Sequence, residues 1–91
     1  MQPGRKLVEA GAETCSDAEI LAILLGTGGK GYSAIDTANA VLERYGTLAS
    51  LMDKPLSELA KIRGIGPVKA IRVAAAFEFA GRIMRYLEHN G

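Results

Sequence analysis

A short run of glycine, isoleucine, proline and lysine residues has the clearest capacity for chemistry in this sequence. Gly64, Ile65 and Gly66 are consecutive; Pro67 follows them, and Lys69 lies within the next helical turn. Glycine permits a tight turn, proline favours the first position of a helix, and a helix start carries unpaired N–H groups with a partial positive charge. A phosphate can therefore approach the amides while the lysine adds a full charge. The spacing predicts a phosphate-binding turn, and an ordinary turn between two helices is the alternative.

Basic residues are concentrated in the part of the chain that contains this turn. The whole chain carries a net charge of +1, from 11 basic and 10 acidic residues. Residues 61–91 contain six Lys or Arg and two Asp or Glu, a charge of +4, whereas residues 1–60 carry −3. Such asymmetry is typical of a surface that faces a polyanion, although a solvated helix face produces the same pattern. Arg63 and Arg72 flank the turn, so we predict that they belong to the phosphate site, with Lys61 as a further candidate.

A second glycine-rich segment begins at Gly26. With Gly28 and Gly31 it fits a G-x-G-x-x-G pattern, but a dinucleotide loop also needs a parallel βαβ unit, which this sequence does not indicate. We therefore predict a hairpin turn in which Gly28 and Lys30 are candidates for contact with a backbone phosphate. Asp36 follows near the start of the next helix and would repel a phosphate there, so the two turns are predicted to be unequal.

Other reaction chemistry has little support in the sequence. The chain contains one cysteine and one histidine, Cys15 and His89, which exclude an internal disulfide and a structural zinc site. No catalytic residues, metal or cofactor are therefore expected. No long apolar run is present, which argues against a membrane span or a signal peptide, and we expect a cytoplasmic protein.

Helices must position these residues, because apolar side chains recur at helical spacing without β-type alternation. Ser16 with Glu19 and Ser33 with Asp36 have the spacing of capping boxes, and Gly46 is a predicted C-terminal stop. We therefore predict an all-α fold. Its predicted parts are a helix after Ser16, a helix after Ser33, a short connecting helix over residues 47–52, a helix over residues 58–62 capped by Ser57, and a last helix from Pro67 to about Leu87.

The last helix is predicted to be central and largely buried, because it has two apolar faces and only a narrow polar stripe. Arg82 lies one turn beyond Glu78, so we predict an ion pair there and place Arg82 and Arg85 outside the phosphate site. The predicted apolar faces are Val68, Ile71, Ala75, Phe79 and Tyr86 on one side and Val73, Phe77, Ala80, Met84 and Leu87 on the other.

A degenerate repeat organises the chain. Residues 21–28 parallel residues 59–66, since both have a helical segment followed by a glycine turn and a further helix. When Ser33 is matched with Gly66, Asp36 falls opposite Lys69. We predict two helical hairpins that share a backbone plan but not a charge plan, packed as a pseudo-twofold unit.

Two segments resemble known proteins. Residues 62–70, IRGIGPVKA, resemble the helix-hairpin-helix DNA-binding motif, in which the amides of the glycine turn and a following basic residue hold a DNA phosphate without reading sequence. Residues 15–28, CSDAEILAILLGTG, resemble the N-terminal domain of the RadC family, and the segment from Gly46 and the final hairpin follow in the expected order. The resemblance covers nearly the whole chain.

This resemblance implies a tandem helix-hairpin-helix fold, a SAM-like bundle similar to RuvA domain 2, with four main helices and a short connector. Residues 1–91 are then one RadC-like N-terminal domain of a longer bacterial protein. RadC-like proteins continue into a JAB/MPN-type domain with metal-binding residues, which this sequence lacks, so no hydrolase activity is expected in the chain.

The implied function is non-sequence-specific binding of the DNA backbone, as the targeting domain of a protein associated with DNA repair. The alternative is an interaction module that packs on its own C-terminal domain or on a repair partner, with little DNA binding. The expected phosphate contacts are Gly64, Ile65, Gly66, Lys69, Arg63 and Arg72, and the candidates in the other hairpin are Gly28 and Lys30.

Overall fold

The computed structural model describes residues 2–26, 31 and 33–90, and every regular element in these ranges is helical. The predicted all-α fold is therefore confirmed. The α-helices are α1 (Pro3–Ala10), α2 (Asp17–Leu25), α3 (Ala34–Tyr45), α4 (Leu56–Lys61) and α5 (Gly66–Asn90), and two short 3₁₀ helices span Ala12–Thr14 and Ala49–Leu51. Helix α1 is an addition to the four predicted main helices, and the predicted connector is the second 3₁₀ helix.

Capping boxes begin helices α2 and α3, as the sequence predicts. The Ser16 hydroxyl accepts from the Glu19 amide at 3.1 Å, and the Glu19 carboxylate accepts from the Ser16 amide at 2.8 Å. Ser33 and Asp36 make the same pair of hydrogen bonds, at 3.2 and 3.0 Å. Helix α3 ends at Gly46, whose φ of 95° suits a glycine. These local bonds satisfy amides that a helix start leaves without intrahelical acceptors.

Helix α4 begins two residues earlier than predicted, at Leu56, and the prediction that Ser57 caps it is wrong. Pro55 is the N-cap residue, with an extended backbone, and its carbonyl accepts from the amides of Glu58 and Leu59 at 2.9 and 3.2 Å. Proline fixes φ near the value that a chain needs as it enters a helix, so the helix starts directly after Pro55. Ser57 consequently lies inside the first turn.

The helices form two hairpins around one apolar core. Helix α2 packs mainly on α3, α4 packs mainly on α5, and α2 also contacts α5. Helix α1 packs beside α2, where the Lys6 ammonium lies 2.9 Å from the Glu19 carboxylate. The largest fully buried side chains come from both hairpins and from the connector between them: Leu21, Leu25, Val41, Leu51, Leu59 and Val73.

Helix α5 is not largely buried, so that prediction is wrong. Its buried residues are Ala70, Val73 and Gly81, whereas every residue from Arg82 to Asn90 is exposed. The helix has 25 residues, about 37 Å at 1.5 Å per residue, but α4, its main partner, has only six. The last turns therefore extend past the helices that could cover them.

Candidate nucleic-acid interface

The turn between α4 and α5 is built by two glycines and one buried isoleucine. Gly64 and Gly66 have φ values of 91° and 67°, in the left-handed region that glycine adopts without steric cost. Ile65 between them is only 6% exposed, and its side chain belongs to the core. Burial of the Ile65 side chain thus anchors the turn to the core, and the two glycines adopt the left-handed backbone conformation that the turn requires.

The backbone amides of this turn do not have equal roles. The Ile65 amide donates to the Ile62 carbonyl at 3.0 Å, so it cannot donate to a ligand without losing that bond. Helix α5 starts at Gly66, where first-turn amides have no intrahelical acceptor, and Pro67 has no N–H. Of the three turn residues predicted to contact a phosphate, Gly64 and Gly66 therefore remain as candidate amide donors, and Ile65 anchors the turn in the core.

The Lys69 ammonium lies at the turn. Its Nζ is 3.4 Å from the Gly64 carbonyl oxygen, and the side chain is half-buried. Lys69 also makes further interactions within the protein, as does Arg63, so an incoming phosphate would join an existing set of contacts. The side chain nevertheless bends back over the glycines, where a cation reinforces the positive end of helix α5.

The two predicted arginines lie toward the first hairpin. The Arg72 guanidinium donates from Nη1 to the Leu25 carbonyl at 3.4 Å, at the C-terminus of α2, where a cation is favourable. Arg63 is exposed and borders a cavity of about 310 Å³ that is also lined by Asp36 and Thr37 of α3. Arg72 thus connects the hairpins, whereas the Lys69 ammonium contacts the glycine turn itself.

The first hairpin offers a different environment at its helix start. Gly28 and Lys30 lie outside the described residues. The Asp36 carboxylate accepts from the Ser33 amide and hydroxyl, and these hydrogen bonds lower the pKa of Asp36 below its ordinary value. The start of α3 therefore holds a carboxylate of its own that favours the ionised form. The predicted inequality of the two hairpins toward a phosphate stays a prediction.

Two further arginines are paired away from the turn. Arg82 and Arg85 lie 3.0 and 3.1 Å from the Glu78 carboxylate, and the predicted Arg82–Glu78 pair is present. The hydrogen bond from Arg82 and the charge of Arg85 lower the pKa of Glu78. Within the described ranges, no cluster of His, Cys, Asp or Glu is arranged to hold a metal ion, and no helix is long and apolar enough to cross a membrane.

The fold and the turn define a small all-α domain with two helical hairpins, and a candidate phosphate-binding turn joins the two helices of the second hairpin. Residues 1–71 match the family model described as UPF0758 N-terminal. The chain therefore belongs to the UPF0758 family, and the predicted identity as a RadC-like N-terminal domain is confirmed.

Relatives in distant bacteria share this region. UPF0758 protein XCV4028 of Xanthomonas euvesicatoria is 46% identical over 90 residues, which are 98% of this chain and 40% of that protein. A UPF0758 protein of Staphylococcus epidermidis is 45% identical over 82 residues, 90% of this chain and 36% of its own length. The chain thus spans about 40% of the length of the curated relatives it matches. No solved structure matches it.

Proposed function

We propose that this domain binds the DNA backbone without reading base sequence, through the turn at Gly64 and Gly66 and the ammonium of Lys69. The observation that carries the proposal is the 3.4 Å approach of Lys69 Nζ to the Gly64 carbonyl, beside two positive-φ glycines at the start of α5. A phosphate at this position would meet backbone N–H groups, the positive end of a long helix and a full positive charge.

The charge distribution supports the same assignment. Residues 61–91, which contain the turn, carry +4, whereas the rest of the chain carries −3. Phosphate contacts position a protein on a duplex but do not specify a sequence, so we expect little discrimination between DNA sequences. With few contacts, we expect an affinity on the order of 10⁻⁴–10⁻⁶ M at physiological salt, which falls steeply as salt is added.

An NMR titration with a short DNA duplex tests this assignment directly. Binding at the turn should shift the amide resonances of Gly64, Gly66 and Lys69 first, and added salt should reverse the shifts. Shifts confined to other parts of the chain would show that the turn does not bind the duplex. If no resonance shifts at low salt, the proposal of DNA binding would be wrong.

Membership of a RadC-like family supports a wider role. We propose that the domain is the targeting module of a longer bacterial protein associated with DNA repair. Any hydrolase activity of such a protein would then reside in the part of the relatives that lies outside the region they share with this chain. No catalytic role is assigned to the residues of this chain.

A second candidate function is protein–protein interaction, on the C-terminal domain of a longer form or on a repair partner. The apolar side chains exposed along α5 favour it, among them Phe79 at 70% and Tyr86 at 65%. The same NMR experiment separates the two functions, because a protein partner should shift resonances of α5 beyond Ile71 and leave the amide of Gly64 unchanged.

A further inference from the structure

Two aromatic rings are exposed on one side of helix α5. Among the aromatic residues that the structure describes, Tyr45 and Phe77 are half-buried, whereas Phe79 is 70% exposed and Tyr86 65%. At about 100° and 1.5 Å per residue, Phe79 and Tyr86 lie within about 20° of each other around the helix axis and about 10 Å apart along it. A single ligand on this side of α5 can therefore contact both rings.

Basic residues are interleaved with these rings. Arg82 lies three residues after Phe79 and four before Tyr86, a spacing that makes it the neighbour of both on the helix surface. Its side chain is 78% exposed, and it shares the Glu78 carboxylate with a second arginine, so these three charges leave a net charge of +1. Residues 68–86 as a whole contain four Lys or Arg and one Glu, a charge of +3. The charge of this part of α5 is therefore complementary to an anionic ligand.

We propose that the aromatic face of α5, defined as Phe79, Arg82 and Tyr86, binds the unpaired bases of single-stranded DNA. Aromatic rings interleaved with basic residues suit a single strand, because every base has a π-face that can stack on a ring while cations hold the backbone. In a duplex, the neighbouring base pairs cover those π-faces. The preferred substrate of the domain is therefore DNA in which a single strand adjoins a duplex.

The proposal rests on the proposed phosphate site, because the turn at Gly64 and Gly66 and the aromatic face belong to one end and one side of the same helix. At 1.5 Å per residue, Tyr86 lies about 25 Å along the helix from Lys69. A stacked strand advances about 3.4 Å per nucleotide, so about eight nucleotides reach from a phosphate at the turn to the ring of Tyr86.

Arg72 lies between the turn and the aromatic face. It is exposed and follows Lys69 by three residues, and its neighbour toward Phe79, Ala75, is exposed with only a methyl side chain. The Arg72 guanidinium donates to the Leu25 carbonyl at 3.4 Å, and its further N–H groups can donate to a phosphate. A strand that leaves the turn along this side of α5 would therefore pass a cation before it reaches the first ring.

Fluorescence anisotropy with labelled DNA tests the proposal. The probes are a blunt duplex and the same duplex with a single-stranded tail of about eight thymines on its 3′ or its 5′ end. The wild type should bind at least one tailed duplex about fivefold more tightly than the blunt one, or better, as stacking on one aromatic side chain implies. Phe79→Leu should lose this advantage, because leucine keeps an apolar side chain but has no ring. Equal affinity of the wild type for all three probes, or an undiminished tail effect in Phe79→Leu, would overturn the proposal.

Two further variants control for the loss of an exposed apolar side chain. Phe79→Tyr keeps a ring and should keep the tail effect. Met84→Ala is the matched control on the same helix, because Met84 is 48% exposed and lies about 140° around the axis from Phe79. Met84→Ala should bind every probe like the wild type. A loss of the tail effect in Met84→Ala as large as that in Phe79→Leu would contradict stacking on the aromatic face.

Lys69→Glu separates failure of this proposal from failure of the phosphate site. An unchanged affinity of Lys69→Glu for the blunt duplex would overturn the phosphate site, whereas loss of the tail effect in Phe79→Leu would still support stacking. If the blunt duplex binds through Lys69 and the tail adds nothing, the phosphate site stands and the aromatic face does not bind DNA. That result would favour the protein partner for the exposed side of α5.

Discussion

Gly66 shows at the scale of one residue why the turn needs its amino acids. Its φ of 67° lies in the left-handed region, and a methyl group built at this position would meet no atom within 4 Å. The cost of an alanine here would therefore arise from backbone conformation and not from a collision. A residue with a side chain loses about 1–2 kcal/mol in this conformation.

We accordingly expect Gly66→Ala to lower the free energy of unfolding by about 1–2 kcal/mol, as measured by urea denaturation. Gly4→Ala is the control, because Gly4 lies inside α1 with helical backbone and open space around its Cα. Alanine should be neutral or slightly stabilising there. Equal effects of the two substitutions would show that the left-handed conformation at Gly66 is not required.

The residues of the candidate site were predictable in part from the sequence. The glycine–isoleucine–glycine spacing indicated a turn before a helix, and Lys69 lies at that turn as spacing suggests. The contact of Arg72 with Leu25 was not predictable, because it joins residues 47 positions apart whose proximity depends on how the hairpins pack. The bond between the Ile65 amide and the Ile62 carbonyl was missed for another reason: the sequence does not say which amides a turn uses internally.

The Arg72 side chain joins helix α5 to the C-terminal end of helix α2. Arg72 reaches the Leu25 carbonyl, and its Nη1 would be only 3.0 Å from a methyl group built on Gly26. This contact links the second hairpin to the first. We expect Arg72→Ala to lower the free energy of unfolding by about 0.5–1.5 kcal/mol in urea denaturation.

Arg82→Ala is the control for this substitution, because Arg82 pairs with Glu78 on the exposed surface of the same helix. Exposed pairs contribute little, so its effect should be near zero. If Arg72→Ala were as mild as Arg82→Ala, the contact with Leu25 would have no part in joining the hairpins.

The start of α2 depends on an ionised carboxylate. The Ser16 amide and the Lys6 ammonium lower the pKa of Glu19 below its ordinary value of 4.5. The Glu19 carboxyl therefore binds a proton less tightly in the folded state than in the unfolded chain. Its ionised form stabilises the folded state above about pH 4.5, and this stabilisation is lost as the pH falls through the lower pKa that Glu19 has in the folded protein.

We expect the free energy of unfolding of the wild type to fall on acidification below this pH, and that of Glu19→Gln to fall less. Glutamine can still accept the hydrogen bond from Ser16, so the substitution removes the charge and keeps the cap. Urea denaturation at a series of pH values measures the difference. Asp36 titrates in the same direction in both proteins, so a residual slope remains. Parallel pH profiles for the two proteins would contradict the role of Glu19.

Helical elements were the most predictable level of this structure, and burial was the least. The two capping boxes and the stop at Gly46 depend on neighbours within three or four residues, so the sequence contains them. The exposure of Phe79 and Tyr86 depends instead on the lengths of the other helices. Apolar residues at helical spacing indicate that other groups pack on the face they form, but not whether those groups belong to the same domain or to another molecule.

At the scale of the whole molecule, the chain has two separate surfaces. The glycine turn with Lys69 is at one end of α5. Exposed apolar side chains, among them Phe79 and Tyr86, lie on the same helix toward its other end. A ligand of one surface therefore need not touch the other, since 1.5 Å per residue places Tyr86 about 25 Å along the helix from Lys69.

The central claim is that Lys69 at the glycine turn binds a DNA phosphate, and a fluorescence anisotropy titration of labelled duplex DNA at low salt tests it most directly. The comparison is between wild type, Lys69→Glu and the charge-matched control Lys54→Glu, whose native ammonium lies over the Tyr45 ring. We expect Lys69→Glu to bind about tenfold more weakly or worse, as the loss of a charged hydrogen bond implies, and Lys54→Glu to stay close to wild type. Equal binding by wild type and Lys69→Glu, or no binding by wild type, would contradict the claim.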